Sequence, residues 1–254
     1  MKFKQYLNEG RTKQIDLDQA VELTVKNCKN NFKKLFMNRN FQIYRGLERY
    51  NEYGLVDSNQ GSMRQSANTK NYTTWLIDNL PSWKGWPKRG RGIICCTNLE
   101  YAEYYGDANY VIPYDNSLIG VCPTEDIFNS FKFLGSRSVA QFNNWWDNRL
   151  SQFQIPEPTS WVKFKKAIME IYNQMKGIDD GNGGAYAWHD DFEILNPKKK
   201  VMDTLDDKMS PAQNGFKMGI NKLSGQKEVW IQGKVILVRR RLRNEYIEAV
   251  KNEI

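Results

Sequence analysis

Gln226-Lys227-Glu228-Val229-Trp230-Ile231 reads as a strand introduced by a carboxylate, and Ile43-Tyr44-Arg45-Gly46, far upstream, as a strand that carries an arginine. A lone charge is expensive to bury, so each segment raises the question of what its charge binds. In an extended chain Gln226 and Glu228 share one face while Lys227 points away, so one substrate can touch both.

Around these segments short strands alternate with helices. Leu17, Val21, Val25, Cys28, Phe32 and Leu35 fall at spacings of three and four, which predicts an amphipathic helix over 16–37 with Asp16 as its cap. Residues 41–44 form the strand leading into Arg45, and a short helix is expected over 73–79, stopped by Pro81. The stretch 81–90 is loop by its Pro and Gly content, 92–97 a buried strand, 98–105 a helix and 110–113 a strand. From about residue 124 the pattern turns helical, with helices expected over 125–133, 139–150 and 161–175 and with Trp145, Trp146, Trp161, Phe164, Ile168 and Ile171 as packing surface. Strands over 228–232 and 235–238 and a helix over 244–252 follow. The expected fold class is α+β: a single domain over 1–254 with a helical insertion over about 124–212.

A chain of 254 residues, 40% hydrophobic and 13% aromatic, has the composition of a folded globular protein. It contains no signal-peptide core and no apolar run of membrane-spanning length, so the expectation is an intracellular protein with no membrane partner. Cys28, Cys95, Cys96 and Cys122 lack metal-type spacing and read as reduced, mostly buried residues. The formal charge is +8, and residues 198–254 hold 13 Lys and Arg against 7 Asp and Glu. Lys198-Lys199-Lys200 and Arg239-Arg240-Arg241-Leu242-Arg243 either meet phosphates or form a solvated basic face. The glycine-rich stretch 177–184 lacks the endings that make a phosphate loop or a calcium loop.

His189 is the only histidine, and with no Gly-x-Ser-x-Gly elbow and no Cys-x-x-Cys pair, hydrolase triads and zinc sites have no support. Any catalysis must run on carboxylate and arginine. A carboxylate such as Glu228 can accept a hydrogen bond from a ribose hydroxyl and oppose the positive charge of an oxocarbenium-like transition state, with Gln226 orienting a neutral nucleophile. A guanidinium such as Arg45 makes forked bonds to a diphosphate, and Gly46 lets a ligand come close to the backbone. A surface salt bridge after a strand is the plain alternative for Arg45.

Taken in order, Tyr44-Arg45-Gly46, Ile94-Cys95-Cys96-Thr97-Asn98 and Gln226-Lys227-Glu228-Val229-Trp230 resemble the landmarks of the mono-ADP-ribosyltransferases with the Arg, Ser-Thr-Ser, Glu signature, including those encoded by tailed bacteriophages of the T-even type. The resemblance leaves 124–212 uncovered. It implies a pair of packed mixed β-sheets with an N-terminal helix, and NAD as substrate with no metal. The reaction implied is cleavage of the nicotinamide–ribose bond and transfer of ADP-ribose to a host macromolecule, a protein side chain or a nucleic acid. The setting implied is the cytoplasm of a bacterial host, with packaging in a virion and oligomeric state left open.

Carried over by position, Arg45 anchors NAD, Cys96, Thr97 and Asn98 support the pocket, Glu228 is catalytic and Gln226 selects the acceptor. Cys96 and Asn98 stand where the family has serine, and a thiol is the weaker donor. Asn68, Asn71 and Tyr72 are further candidates for the pocket wall, Tyr72 by stacking on nicotinamide; capping and packing explain them equally. Family members with glutamate in place of Gln226 usually modify arginine, whereas those with glutamine include enzymes acting on asparagine, cysteine and guanine. Two other readings stay open: an NAD glycohydrolase with water as acceptor, and a noncatalytic protein of the same fold that binds nucleic acid through Arg239–Arg243 and exposed Trp83 and Trp86.

Overall fold

The computed structural model describes residues 12–37, 41–47, 52–61, 63–64, 70–179, 194–195 and 200–254. Asn68, His189, the glycine-rich stretch from 180 onward, and Lys198 and Lys199 lie outside them. The strands are β1 (Lys13–Ile15), β2 (Tyr44–Leu47), β3 (Tyr53–Asp57), β4 (Ile93–Cys96), β5 (Asp107–Pro113), β6 (Leu118–Val121), β7 (Lys217–Met218), β8 (Glu228–Gln232) and β9 (Lys234–Arg239). The helices are α1 (Leu17–Asn27), α2 (Lys29–Phe32), α3 (Tyr72–Asn79), α4 (Leu99–Glu103), α5 (Val139–Gln152), α6 (Trp161–Asp179), α7 (Val201–Met209), α8 (Pro211–Asn214) and α9 (Arg243–Glu253).

The chain divides into two compact units, one made of residues 1–64, 86–127 and 216–254 and the other of 65–85 and 128–215. The first holds all the strands described. They form one nine-stranded sheet in the order β1-β3-β9-β5-β2-β4-β8-β6-β7, and every ladder is antiparallel. The expected pair of mixed sheets is thereby corrected. The ladder runs unbroken through β2, which pairs with β5 over four residues and with β4 through the single pair Tyr44↔Cys96.

Two corners carry the chain between the ends of this sheet. Strands β8 and β9 follow one another directly, yet β8 pairs with β4 and β6 while β9 pairs with β3 and β5. Gly233 makes that corner at φ 129°, where a side chain would be strained and its Cβ would crowd Ser117. The second corner, between β5 and β6, is tied to the first: Tyr114 N–H and Ser117 Oγ both donate to the Lys234 carbonyl, at 2.9 and 3.0 Å. Links this short leave no room for the crossover that a parallel pair requires.

Asp16 caps α1 as expected, its carboxylate accepting the Gln19 N–H at 2.8 Å. The predicted long first helix stops at Asn27 and restarts as α2 and a π-turn over Lys33–Met37. Their apolar side pairs with α9 over the sheet, where Phe32 stands edge-on to Tyr246 at 6.0 Å. The core collects Phe32, Leu35, Val111, Leu237, Val229 and Ile231, drawn from both sides of the Tyr44↔Cys96 junction.

The other unit is helical. Tyr72 stacks on Phe164 at 4.5 Å, and Trp146 meets Phe164 edge-on at 5.4 Å. Thr73 is held by Asn143, whose Oδ1 accepts the Thr73 N–H and hydroxyl at 3.1 and 2.8 Å. The helix expected over 125–133 is replaced by two isolated 3-10 turns, Ile127–Asn129 and Lys132–Leu134. Strands β1, β3 and β6 and helix α7 were not anticipated from the sequence pattern.

Candidate active site

Buried charge is where the sequence places it. Arg45 is 8% exposed and Glu228 7%. They lie on β2 and β8, the two neighbours of β4, and one row of the sheet runs Tyr44, Cys96, Glu228. Residues scattered over most of the chain thus lie on three adjacent strands, with Tyr44 rather than Arg45 in the row of Cys96 and Glu228.

Where the β2–β4 ladder ends, Arg45 Nη1 donates to the Ile94 carbonyl of β4. The charges of Arg45 and Glu228 both reach the Cys96 thiol. Burial pushes that thiol up to about 11, the bond to the Asn98 backbone opposes the rise, Glu228 adds to it and Arg45 counters it. Cys96 Sγ points to the Asn98 carbonyl at 3.1 Å. No hydrogen bond joins it to Glu228 among the described residues, so the link a serine would supply is not made by this thiol.

Thr97 performs a different task. Its N–H donates to the Lys227 carbonyl at 3.0 Å, and its hydroxyl accepts the Lys227 N–H at 2.8 Å and donates to Gly225 at 2.7 Å. The turn carrying Gln226 is therefore fastened to the end of β4. Gln226 itself is exposed in a bend before the strand begins, whereas Glu228 is buried. The shared face expected for the two is corrected, because the chain is not extended at 226.

Three donors surround the Glu228 carboxylate. Arg89 Nε lies 3.3 Å from Oε1, the Trp230 indole N–H donates to the same oxygen, and the Ile127 N–H reaches Oε2 at 3.3 Å. Arg89 stands 5.8 Å above the Trp230 ring. Burial would weaken the hold of the Arg89 guanidinium on its proton, but the negative charge of Glu228 reverses this and holds its pKa above the usual value. Arg89 was not singled out in the sequence; the available signal was that a buried carboxylate demands a cation, and the loop 81–90 leading into β4 offers one.

Three further expectations change. Gly46 does not open space for a ligand: a Cβ there would overlap the Ala102 carbonyl oxygen, so the glycine serves the contact between β2 and α4. Asn98 caps α4, its Oδ1 accepting the Tyr101 N–H at 3.3 Å. Tyr72 is 1% exposed in the helical unit, with Phe164 on its ring and its hydroxyl on Asp147 at 2.6 Å, so packing accounts for it. Asn71 sits at the cap position of α3 without a side-chain cap bond.

The basic run has partners. Arg239 pairs with Asp107 at 3.3 Å, Arg240 with Glu103 at 2.6 Å and Arg241 with Glu52, while Arg243 lies over Phe36 and Tyr110. Trp83, expected to be exposed, is fully buried and donates its indole N–H to Met209 at 3.0 Å; Trp86 is half-buried. All four cysteines are buried. Among the described residues no group of three or more His, Cys, Asp or Glu is placed to hold a metal, and no helix is long and apolar enough to cross a membrane. Comparison of the chain with protein families, curated proteins and solved structures finds no match.

Proposed function

We propose that the chain is a mono-ADP-ribosyltransferase on an ADP-ribosyltransferase-like fold, using NAD as substrate. The observation that carries the reading is the convergence of Arg45, Cys96-Thr97 and Glu228 on the adjacent strands β2, β4 and β8. Chance matches of short motifs have no reason to become neighbours in space.

In this reading Arg45 holds the diphosphate and Glu228 accepts a hydrogen bond from the nicotinamide ribose. The bond between the ribose and the nicotinamide nitrogen breaks, with its electron pair leaving on nicotinamide. The positive charge left on the sugar is opposed by Glu228, and the acceptor nucleophile bonds to the sugar and gives up its proton to water. Gln226, exposed on the turn that Thr97 fastens, faces the acceptor. Arg45 and Glu228 supply the cation and carboxylate a dinucleotide needs, and the fit requires Arg89 to leave Glu228.

The closure of Glu228 by Arg89, Trp230 and Ile127 favours a second reading, a noncatalytic interaction protein on the same fold. Incubating the protein with labelled NAD and a cell lysate separates the two. Label on protein or nucleic acid, told apart by protease and nuclease digestion, supports the transferase; nicotinamide release without label transfer marks a glycohydrolase. Neither product leaves the noncatalytic reading.

A further inference from the structure

We propose, resting on the transferase reading, that Arg89 is a latch on Glu228 which the diphosphate of the dinucleotide releases. Of the three donors on the carboxylate, the Ile127 donor is backbone, and the Trp230 indole is 1% exposed and packed on Phe216 at 5.7 Å. Only Arg89 sits at the end of a long side chain. That side chain is 13% exposed, and its guanidinium lies across the face of Trp230.

The main chain on either side of Arg89 is fastened. Lys88 N–H donates to Gln232 Oε1 at 2.9 Å, Gly92 N–H to the Lys88 carbonyl at 2.7 Å, and Arg64 N–H to the Gly90 carbonyl at 2.6 Å. Release is therefore a swing of one side chain over the indole rather than the opening of a loop. A guanidinium donates to phosphate oxygens in the same forked geometry as to a carboxylate, and a diphosphate offers two charges where Glu228 offers one. Arg45 lies on β2, the other neighbour of β4. When a diphosphate takes Arg89, the cation stays paired while Glu228 is handed to the ribose, so the carboxylate is uncovered only in the presence of its ligand.

The test uses the full chain and two readouts. The indole N–H resonance of Trp230, identified among those of the eight tryptophans by Trp230→Phe, reports the state of the carboxylate it is bonded to. Inorganic pyrophosphate and ADP-ribose are expected to move it, while chloride at matched ionic strength leaves it in place; in Arg89→Gln it is already displaced and does not answer. The second readout is nicotinamide release from nicotinamide riboside, which has no diphosphate. Arg89→Gln is expected to cleave the riboside about tenfold faster than the native protein, and added pyrophosphate to stimulate the native protein alone.

A Trp230 resonance in the native protein that ignores both pyrophosphate and ADP-ribose overturns the latch whatever the activity, even if Arg89→Gln does not fold. So does a folded Arg89→Gln that cleaves NAD and the riboside more slowly in parallel, which makes Arg89 a fixed support. A resonance that responds while no nicotinamide is ever released from NAD overturns the transferase reading and leaves the anion-responsive pair standing.

Discussion

Thr97 and Lys227, 130 residues apart in sequence, exchange two hydrogen bonds: the Thr97 N–H meets the Lys227 carbonyl at 3.0 Å and the Lys227 N–H meets the Thr97 hydroxyl at 2.8 Å. This contact decides where the exposed Gln226 stands relative to the end of β4.

Thr97→Val keeps the shape and removes the hydroxyl, stranding the Lys227 N–H and the Gly225 carbonyl. Both groups are at least partly open to water, so the expected loss is about 0.5–1.5 kcal/mol, read as a lower urea midpoint. In the transferase reading nicotinamide release persists while label transfer to the acceptor falls. An unchanged midpoint would show the turn to be held by something else.

Glu228→Gln tests the carboxylate with little change of volume. Nicotinamide release is expected to fall about 100-fold or more with a modest change in KM. Glu228→Ala instead leaves Arg89 buried beside a missing partner, for a destabilisation of about 3–5 kcal/mol in urea unfolding. Equal rates for Glu228→Gln and the native protein would remove the catalytic assignment.

Alkali should weaken the fold through Cys96. Burial raises this thiol from 9.0 to about 11 in the folded protein, with Glu228 adding to the rise, so the folded state keeps its proton after the unfolded state has lost it. The stability this thiol contributes is complete below about pH 9 and is lost as pH rises toward 11, by on the order of 2 kcal/mol. Chemical unfolding at pH 8 and pH 10.5 measures the loss, and Cys96→Ala should reduce the difference. An identical pH dependence in the variant would mean that other groups carry it.

The ion pairs of Arg239, Arg240 and Arg241 with Asp107, Glu103 and Glu52 are largely exposed, and such pairs contribute roughly 0–1 kcal/mol each. Replacing the three arginines by glutamine should leave the affinity for a single-stranded oligonucleotide at physiological salt unchanged. A salt-dependence slope that flattens in the variant would instead assign these residues to phosphate and favour the noncatalytic reading.

Gly46→Ala forces a methyl group into the Ala102 carbonyl of α4, and the expected cost is about 1–3 kcal/mol. Thermal unfolding of the variant measures it. A neutral result would mean that α4 moves freely off β2.

Local pattern was enough for the elements whose period is their own. The capped helix α1, the buried strand β4, the helices α5 and α6 with Trp146 and Phe164 in their core, and the closing β8, β9 and α9 are each written in spacings of two, three or four residues. The same reading marked Arg45 and Glu228 as charges lying inside apolar strands, and both are buried. The partners of those charges were another matter. That Arg45 reaches the Ile94 carbonyl, that Arg89 covers Glu228 from 139 residues away, and that Gly46 answers to Ala102 depend on which strands become neighbours. Strand order is fixed by packing over the whole sheet, and side-chain periodicity along one segment carries no record of it. Sequence set two charges in apolar strands and left a surface salt bridge open for Arg45; tertiary structure decided that both are buried and what each of them meets.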